Sequence, residues 1–217
     1  DACDGCIARR HVELTGAEGA FLELGDLDGL QLVEGAFTVE AWVRLHDAED
    51  RVDISRRGPG NRGWRLSILG DRVAGGAFGG ESIGGLIPIQ LGEWVHVAWS
   101  YDGANSRVFV AGALIDARMP AAWIQPTPVP VRVSGLRDAN GDTSVFTRGR
   151  LDELRISRTA RYFEDFEPAS RHPVDNEVIG LWHFDLEEGG TSPGAGTTHA
   201  VLHNIGLAPG DRRCEEL

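Results

Sequence analysis

Phe37 to Leu45 reads FTVEAWVRL. Phe37, Val39, Ala41, Val43 and Leu45 fall at every second position, with Thr38, Glu40, Trp42 and Arg44 between them. Period two is the signature of a strand that gives one face to a core. Trp94 to Tyr101 (WVHVAWSY) repeats it, with Val95, Val97, Trp99 and Tyr101 on one face. Arg107 to Asp116 (RVFVAGALID) predicts a hairpin around Ala111-Gly112. Further strands are predicted over 11–14, 20–24, 52–56, 64–69, 72–78, 129–134, 150–157, 178–185 and 200–204. Between them sit turn signals such as Gly58-Pro59-Gly60, Gly70-Asp71, Asp102-Gly103 and Asn140-Gly141. Only 159–166 predicts a short helical turn. Many short strands joined by tight turns define an all-β sandwich or barrel.

The rest of the chain fits one such domain. It has 217 residues, of which 41% are hydrophobic and 25% charged, enough to bury a core without disulfides. We read residues 1–9 as a Cys-bearing stub and 10–217 as a single domain. Residues 121–130, Pro-rich together with Pro120, predict an extended surface loop, since Pro cannot donate to a central ladder. The formal net charge is −12, which excludes a nucleic-acid binder, whose partner demands a basic footprint. Every one of the 21 basic residues is Arg. Without Lys there is no Schiff-base or P-loop lysine chemistry. No run approaches the ~20 apolar residues of a membrane helix. The chain opens on Asp1 with no leader pattern after it, so we expect a processed or excerpted piece of a longer exported protein.

Five segments in order carry a family resemblance: FTVEAWV at 37–43, GEWVHVAWSYDG at 92–103, GRLDELRISRTA at 149–160, ARYFEDFEP at 160–168 and GLWHFDLEEGG at 180–190. Together they resemble the laminin-G-like jelly-roll domains of the concanavalin A-like lectin/glucanase superfamily, over residues 10 to 208. The resemblance implies two antiparallel sheets packed face to face, commonly with calcium and a carbohydrate or protein ligand. Two departures stand out. The hairpin that usually carries Asp-Gly has Ala111-Gly112, and Ala tolerates positive φ poorly, so a different turn type is expected. The polar loop expected after Trp182-His183-Phe184-Asp185 reads TSPGAG and has lost its oxygen ligands.

Candidate chemistry is sparse. Hydrolases of the superfamily place Glu-x-Asp-x-x-Glu on one strand, because glycoside hydrolysis needs paired carboxylates. The nearest segment, Arg150-Leu151-Asp152-Glu153-Leu154-Arg155, has Arg where both Glu would stand. We therefore expect no enzyme activity. Asp138, Asn140 and Asp142 alternate as oxygen ligands do in calcium loops, although Asn-Gly is equally a plain turn signal. Family analogy offers a second ion site, coupling Asp26 or Asp28 to Asp152, Glu153 or Asp185. The family also carries a His at the position of His96, which we read as structural, bonded beneath a loop. Trp42, Trp94, Trp99 and Trp182 lie in the family's strand motifs and are expected to pack between the sheets. Trp123, in the Pro-rich loop, is expected at the surface.

Cys3-Asp4-Gly5-Cys6 lacks the βαβ context of a redox motif. The resemblance brings the two chain ends side by side, where a Cys6–Cys214 bridge would clasp them. Cys3 then pairs elsewhere or takes the place of Cys6. Such a bridge implies an oxidising compartment: extracellular, cell-surface or periplasmic.

The expected function is a non-catalytic extracellular module recognising carbohydrate or a protein surface. A purely structural or adhesion domain, or a divergent glycan hydrolase, stands beside it. The expected contacts are Arg56, Arg57, Arg62, Trp64, Trp123 and Arg137. The cluster from Arg56 to Arg65 offers a ligand carboxylate its best grip, because guanidinium binds carboxylate in bidentate fashion.

Overall fold

The computed structural model describes residues 10–25, 28–32, 35–120, 123–185, 191–193, 199–205 and 207–209. The strands in chain order are β1 (Arg10–Thr15), β2 (Phe21–Leu24), β3 (Phe37–Arg44), β4 (Arg51–Gly58), β5 (Arg62–Leu69), β6 (Arg72–Ala77), β7 (Ile83–Leu86), β8 (Val95–Tyr101) and β9 (Ser106–Val110). They continue as β10 (Ala113–Arg118), β11 (Val131–Val133), β12 (Leu136–Arg137), β13 (Thr143–Val145), β14 (Arg148–Ser157), β15 (Val178–Trp182), β16 (Thr191–Pro193), β17 (His199–His203) and β18 (Leu207–Pro209). One sheet runs β10-β9-β8-β3-β14-β1-β18, with β15 also on β14. The second runs β16-β17-β2-β11-β4-β5-β6-β7, and β12-β13 form a separate ribbon. All pairings are antiparallel. The expected two-sheet jelly roll is what the chain forms. No helix among the described residues is long and apolar enough to cross a membrane.

The alternating apolar residues meet between the sheets. Val39, Ala41 and Val43 of β3, Val97 and Trp99 of β8, Ile54 of β4 and Leu66 and Ile68 of β5 belong to one buried cluster. Gly75 of β6 marks the closest approach. A Cβ there would lie 2.5 Å from the Trp99 ring, so Trp99 occupies the space a side chain would need.

Alternation breaks in the middle of the first sheet, and that break shapes the molecule. In β14, Asp152 faces Trp42 and Arg155 faces Glu40, so three steps of β14 match two of β3. The extra residue is a β-bulge, with Glu153 at φ 49. The bulge lets Leu151 and Leu154, three apart, both enter the core. It also leaves Glu153 and Arg155 buried outside the core cluster.

The first sheet's outer face is covered too. Residues 158–177 form an irregular strap, not the helical turn expected at 159–166. Part of its backbone is satisfied by the sheet: Thr38 Oγ1 donates to Thr159 O at 2.8 Å and accepts from Arg161 N at 3.0 Å. Phe166 N donates to Gly112 O at 3.0 Å, and Trp42 Nε1 donates to Ala169 O at 3.0 Å. Tyr162 and Phe166 stack at 3.6 Å. The hairpin under the strap keeps the two-residue turn that Ala seemed to forbid. Ala111 has φ 50 and Gly112 φ 79, as a type I′ turn requires.

Candidate functional site

Glu40 is fully buried on the strap side of β3. Arg155 Nε donates to its Oε1 at 2.8 Å, and the Tyr162 phenol donates to its Oε2 at 2.7 Å. His96 Nε2 lies 3.1 Å from Oε2, and His172 Nε2 lies 3.7 Å away. Burial opposes charge on Glu40, but the His96 hydrogen bond and the Arg155 guanidinium outweigh it and hold the carboxyl far below its usual range. Burial pushes His172 down to about 3, so it is neutral at pH 7. Glu40, His96 and His172 bring three metal-type donor atoms within 4.8 Å of one another. The donors on Glu40, however, are a guanidinium and a phenol, as in a salt-bridged lock rather than a metal centre. This network ties the strap to the sheet. Beside it, the bulged Glu153 accepts from His172 N and meets His183 Nδ1, both at 2.8 Å.

The six residues expected to contact ligand do not form one site. Arg56 is fully buried, and its Nε and Nη2 both donate to Thr127 O at 3.2 Å. Trp64 is fully buried with Nε1 donating to Leu30 O at 2.9 Å. Both face the core side of their strands and are closed to a ligand; they anchor the Pro-rich loop and the turn at Asp28–Gln31. Arg57 Nη1 donates to Arg137 O at 2.8 Å, and Arg137 Nη1 donates to Pro130 O at 3.2 Å. Arg57 thus braces β4 against β12, and Arg137 braces β12 against the residue before β11. Arg62 is exposed at the start of β5. Trp123 is 65% exposed and meets Tyr101 edge-on at 6.1 Å. Of the four tryptophans expected between the sheets, Trp99 and Trp182 are there. Trp42 instead lies under the strap, and Trp94 meets His11 at 5.5 Å outside the core cluster.

The more open arrangement is on the outer face of the second sheet. Cross-strand register sets out three rows there. Arg51, Leu69, Arg72 and Leu86 form one; Asp53, Ser67, Ala74 and Gly84 the next; Arg132, Ser55, Arg65 and Gly76 the third. Ala74 and Gly84 lower the floor, and a groove of about 440 Å³ opens above them. Arg51, Arg65, Arg72, Ser67 and Ser82 line it. Asp53 is buried, accepts from Ser67 and is paired with Arg51. Arg65 stacks over Phe78 at 5.4 Å and donates through Nη2 to Ser82 Oγ at 3.2 Å. Arg72 is exposed, with neither hydrogen bond nor ion pair among the described residues. Alternation carried this signal: with Trp64, Leu66 and Ile68 inward, Arg65, Ser67 and Leu69 must point outward.

The expected ion-site residues are placed as follows. Asp138 Oδ1 accepts from the amides of Asn140 at 2.8 Å and Asp142 at 3.0 Å, closing the turn over 138–142. These amides hold the Asp138 carboxyl below its usual range. Asp26 and the side chain of Asp28 lie outside the described residues, as do Cys3, Cys6 and Cys214. Asp152 Oδ1 accepts from Glu153 N at 2.8 Å, and Asp185 is paired with Arg171 at 2.7 Å.

A laminin-G family profile, described as concanavalin A-like lectin/glucanases superfamily, matches residues 17–164, and the chain belongs to that superfamily. A search of curated proteins finds no match to the sequence. Among solved structures, a candidate carbohydrate-binding protein from Bacteroides ovatus is similar over 95% of this chain, with TM-score 0.67 and 16% identity. The chain spans 61% of that protein's length. The CBM40 of Ruminococcus gnavus IT-sialidase bound to α2,3-sialyllactose is similar over 71% of this chain and 92% of its own, with TM-score 0.51 and 13% identity. Mouse laminin α1 LG4-5 is similar over 77% of this chain and 48% of its own, with TM-score 0.51 and 15% identity.

Proposed function

We propose that the domain is a non-catalytic glycan-binding module whose ligand lies in the groove over β4 to β7. The observation that carries this reading is the groove itself: a floor of Ala74 and Gly84, walls of guanidinium and hydroxyl donors, and the exposed apolar Leu86 at one side. A pyranose offers hydroxyls and a C–H face, and such a lining suits both. No carboxylate lines the groove among the described residues, and hydrolysis would need two. The fold supports such use, since the Ruminococcus gnavus module is described with a bound saccharide. An extracellular setting, with a bridge from Cys214 to Cys6 or Cys3, belongs to the same proposal.

A glycan array, run with calcium and with EDTA, tests the reading. Binding that Arg72→Ala weakens is the expected result, and its persistence or loss in EDTA tells whether calcium takes part. Silence under both conditions would overturn it in favour of a spacer or adhesion domain. Thiol counting on native protein tests the bridge: one free thiol is expected, and three would remove it.

A further inference from the structure

The geometry points to a saccharide bearing an oxyanion substituent, a carboxylate or a sulfate, as the ligand, with Arg65 and Arg72 holding the anion. This rests on the groove being the glycan site. The chain as a whole carries −12, and an anion approaching most of its surface is repelled. The groove inverts that sign. Arg51, Arg65 and Arg72 line it, and Arg57 stacks beside Arg65 over Phe78 at 4.8 Å. Against these, the outer-face rows over β4 to β7 offer one carboxylate, Asp53, which is already paired with Arg51. Asp116 reaches the Gly84 amide at 3.0 Å from β10, but it is itself paired with Arg118 at 2.8 Å. Among the described residues Arg65 and Arg72 form no ion pair of their own, and Asp53 acts on Arg65 only from its bond with Arg51.

Arg65 is also prearranged. Phe78 supports its plane, and Ser82 takes one Nη2 hydrogen. Its buried Nε has no partner. Burial, reinforced by Arg51 and Arg57 and opposed by Asp53, holds its pKa below the usual value. A guanidinium in that state gains when an anion arrives, because the anion removes like-charge repulsion and fills the open donor. Planar donors held in place match carboxylate and sulfate oxygens better than sugar hydroxyls do. Ser67 and Ala74 then meet the ring to which the anion is attached.

The test is binding to immobilised polymers in matched pairs: polygalacturonate against its carboxyl-reduced galactan, and dextran sulfate against dextran. Tighter binding to an acidic member than to its neutral partner, by about tenfold or more, is expected. The pair showing the preference tells carboxylate from sulfate. Raising NaCl from 50 to 500 mM should weaken the acidic complex, and Arg72→Glu should abolish the preference. Arg65→Gln, which keeps a hydrogen-bonding side chain, should reduce it about tenfold. Arg158→Ala, the same charge removed beside the strap, should leave it intact, and equal loss there would overturn the proposal. Equal binding of acidic and neutral members would overturn the oxyanion and leave the glycan module standing. Silence on all four polymers would bring down both readings.

Discussion

Glu40 is the residue on which most of the strap depends. An isolated charge inside a protein is costly, and this one is tolerable because Arg155 and Tyr162 satisfy it. Glu40→Gln leaves Arg155 buried without its counter-charge. We expect a loss of roughly 3–5 kcal/mol, read by denaturant unfolding. The network also sets a direction for pH dependence. His172 titrates near 3 when folded and near ~6.5 when unfolded. Between these values the unfolded chain binds a proton that the folded chain refuses, so stability falls as pH drops from 6.5 towards 3. Glu40 adds to the fall below ~4.3, where its unfolded carboxyl takes up a proton that the folded one rejects. Unfolding midpoints across pH 3–8 should decline on the acid side, and a flat profile over that span would remove the network from this role.

At the scale of the element, the β9–β10 hairpin holds a residue in an unfavourable conformation. Ala111 sits at φ 50, where the Cβ of an L-residue is crowded. Its side chain is exposed, so replacement costs no packing. Ala111→Asn should stabilise by roughly 0.5–1 kcal/mol, since Asn tolerates this conformation. That corresponds to about 2–4 °C per kcal/mol in the thermal midpoint for a chain of this size. A drop in the midpoint would contradict the turn assignment. The same hairpin shows where sequence reading stops. Two strands and a two-residue turn are plain in RVFVAGALID, but Ala gives no hint that the turn stays type I′. The turn is stabilised from outside, by Phe166 N on Gly112 O. The strap behaves likewise. Residues 159–166 carry aromatics at helical spacing, yet Thr159 O and Arg161 N find partners on the sheet, and tertiary contact decides the conformation.

For the molecule as a whole, the joint between the sheets is legible and the choice of face is not. FTVEAWVRL and WVHVAWSY place their apolar residues in the core as alternation demands. The same rule applied to 64–69 puts Trp64 inside and Arg65 outside, and it locates the groove. Grouping Arg56, Arg57, Arg62 and Trp64 by proximity along the chain mixes the two faces. The outer face of the first sheet looks polar in sequence, with Thr38, Glu40 and Arg155, because its cover comes from a distant segment and is made of ion pairs. Gly75 tests the joint itself. Gly75→Val drives a methyl group into the Trp99 ring, and about 1–3 kcal/mol of destabilisation is expected. A shift in tryptophan emission should accompany it, and an unchanged midpoint with unchanged emission would mean the sheets lie farther apart.

The strap also sets an order of assembly. Tyr162 and Glu40 are 122 residues apart, and Arg155 and Glu40 are 115 apart. Contacts of that separation form late, after the loops between them have closed. During assembly of the sheet, Glu40 therefore remains hydrated, and it loses its water only when residues 158–177 settle over it. The segment that docks last has no regular hydrogen-bonded ladder of its own and is held to the sheet by an aromatic cluster and buried ion pairs, so it is also the segment released first in local opening. Hydrogen exchange at Phe166 and His172 should then be faster than in β3 and β8. Each such opening wets a carboxylate and two imidazoles together, making the strap the place where mild acid first loosens the molecule.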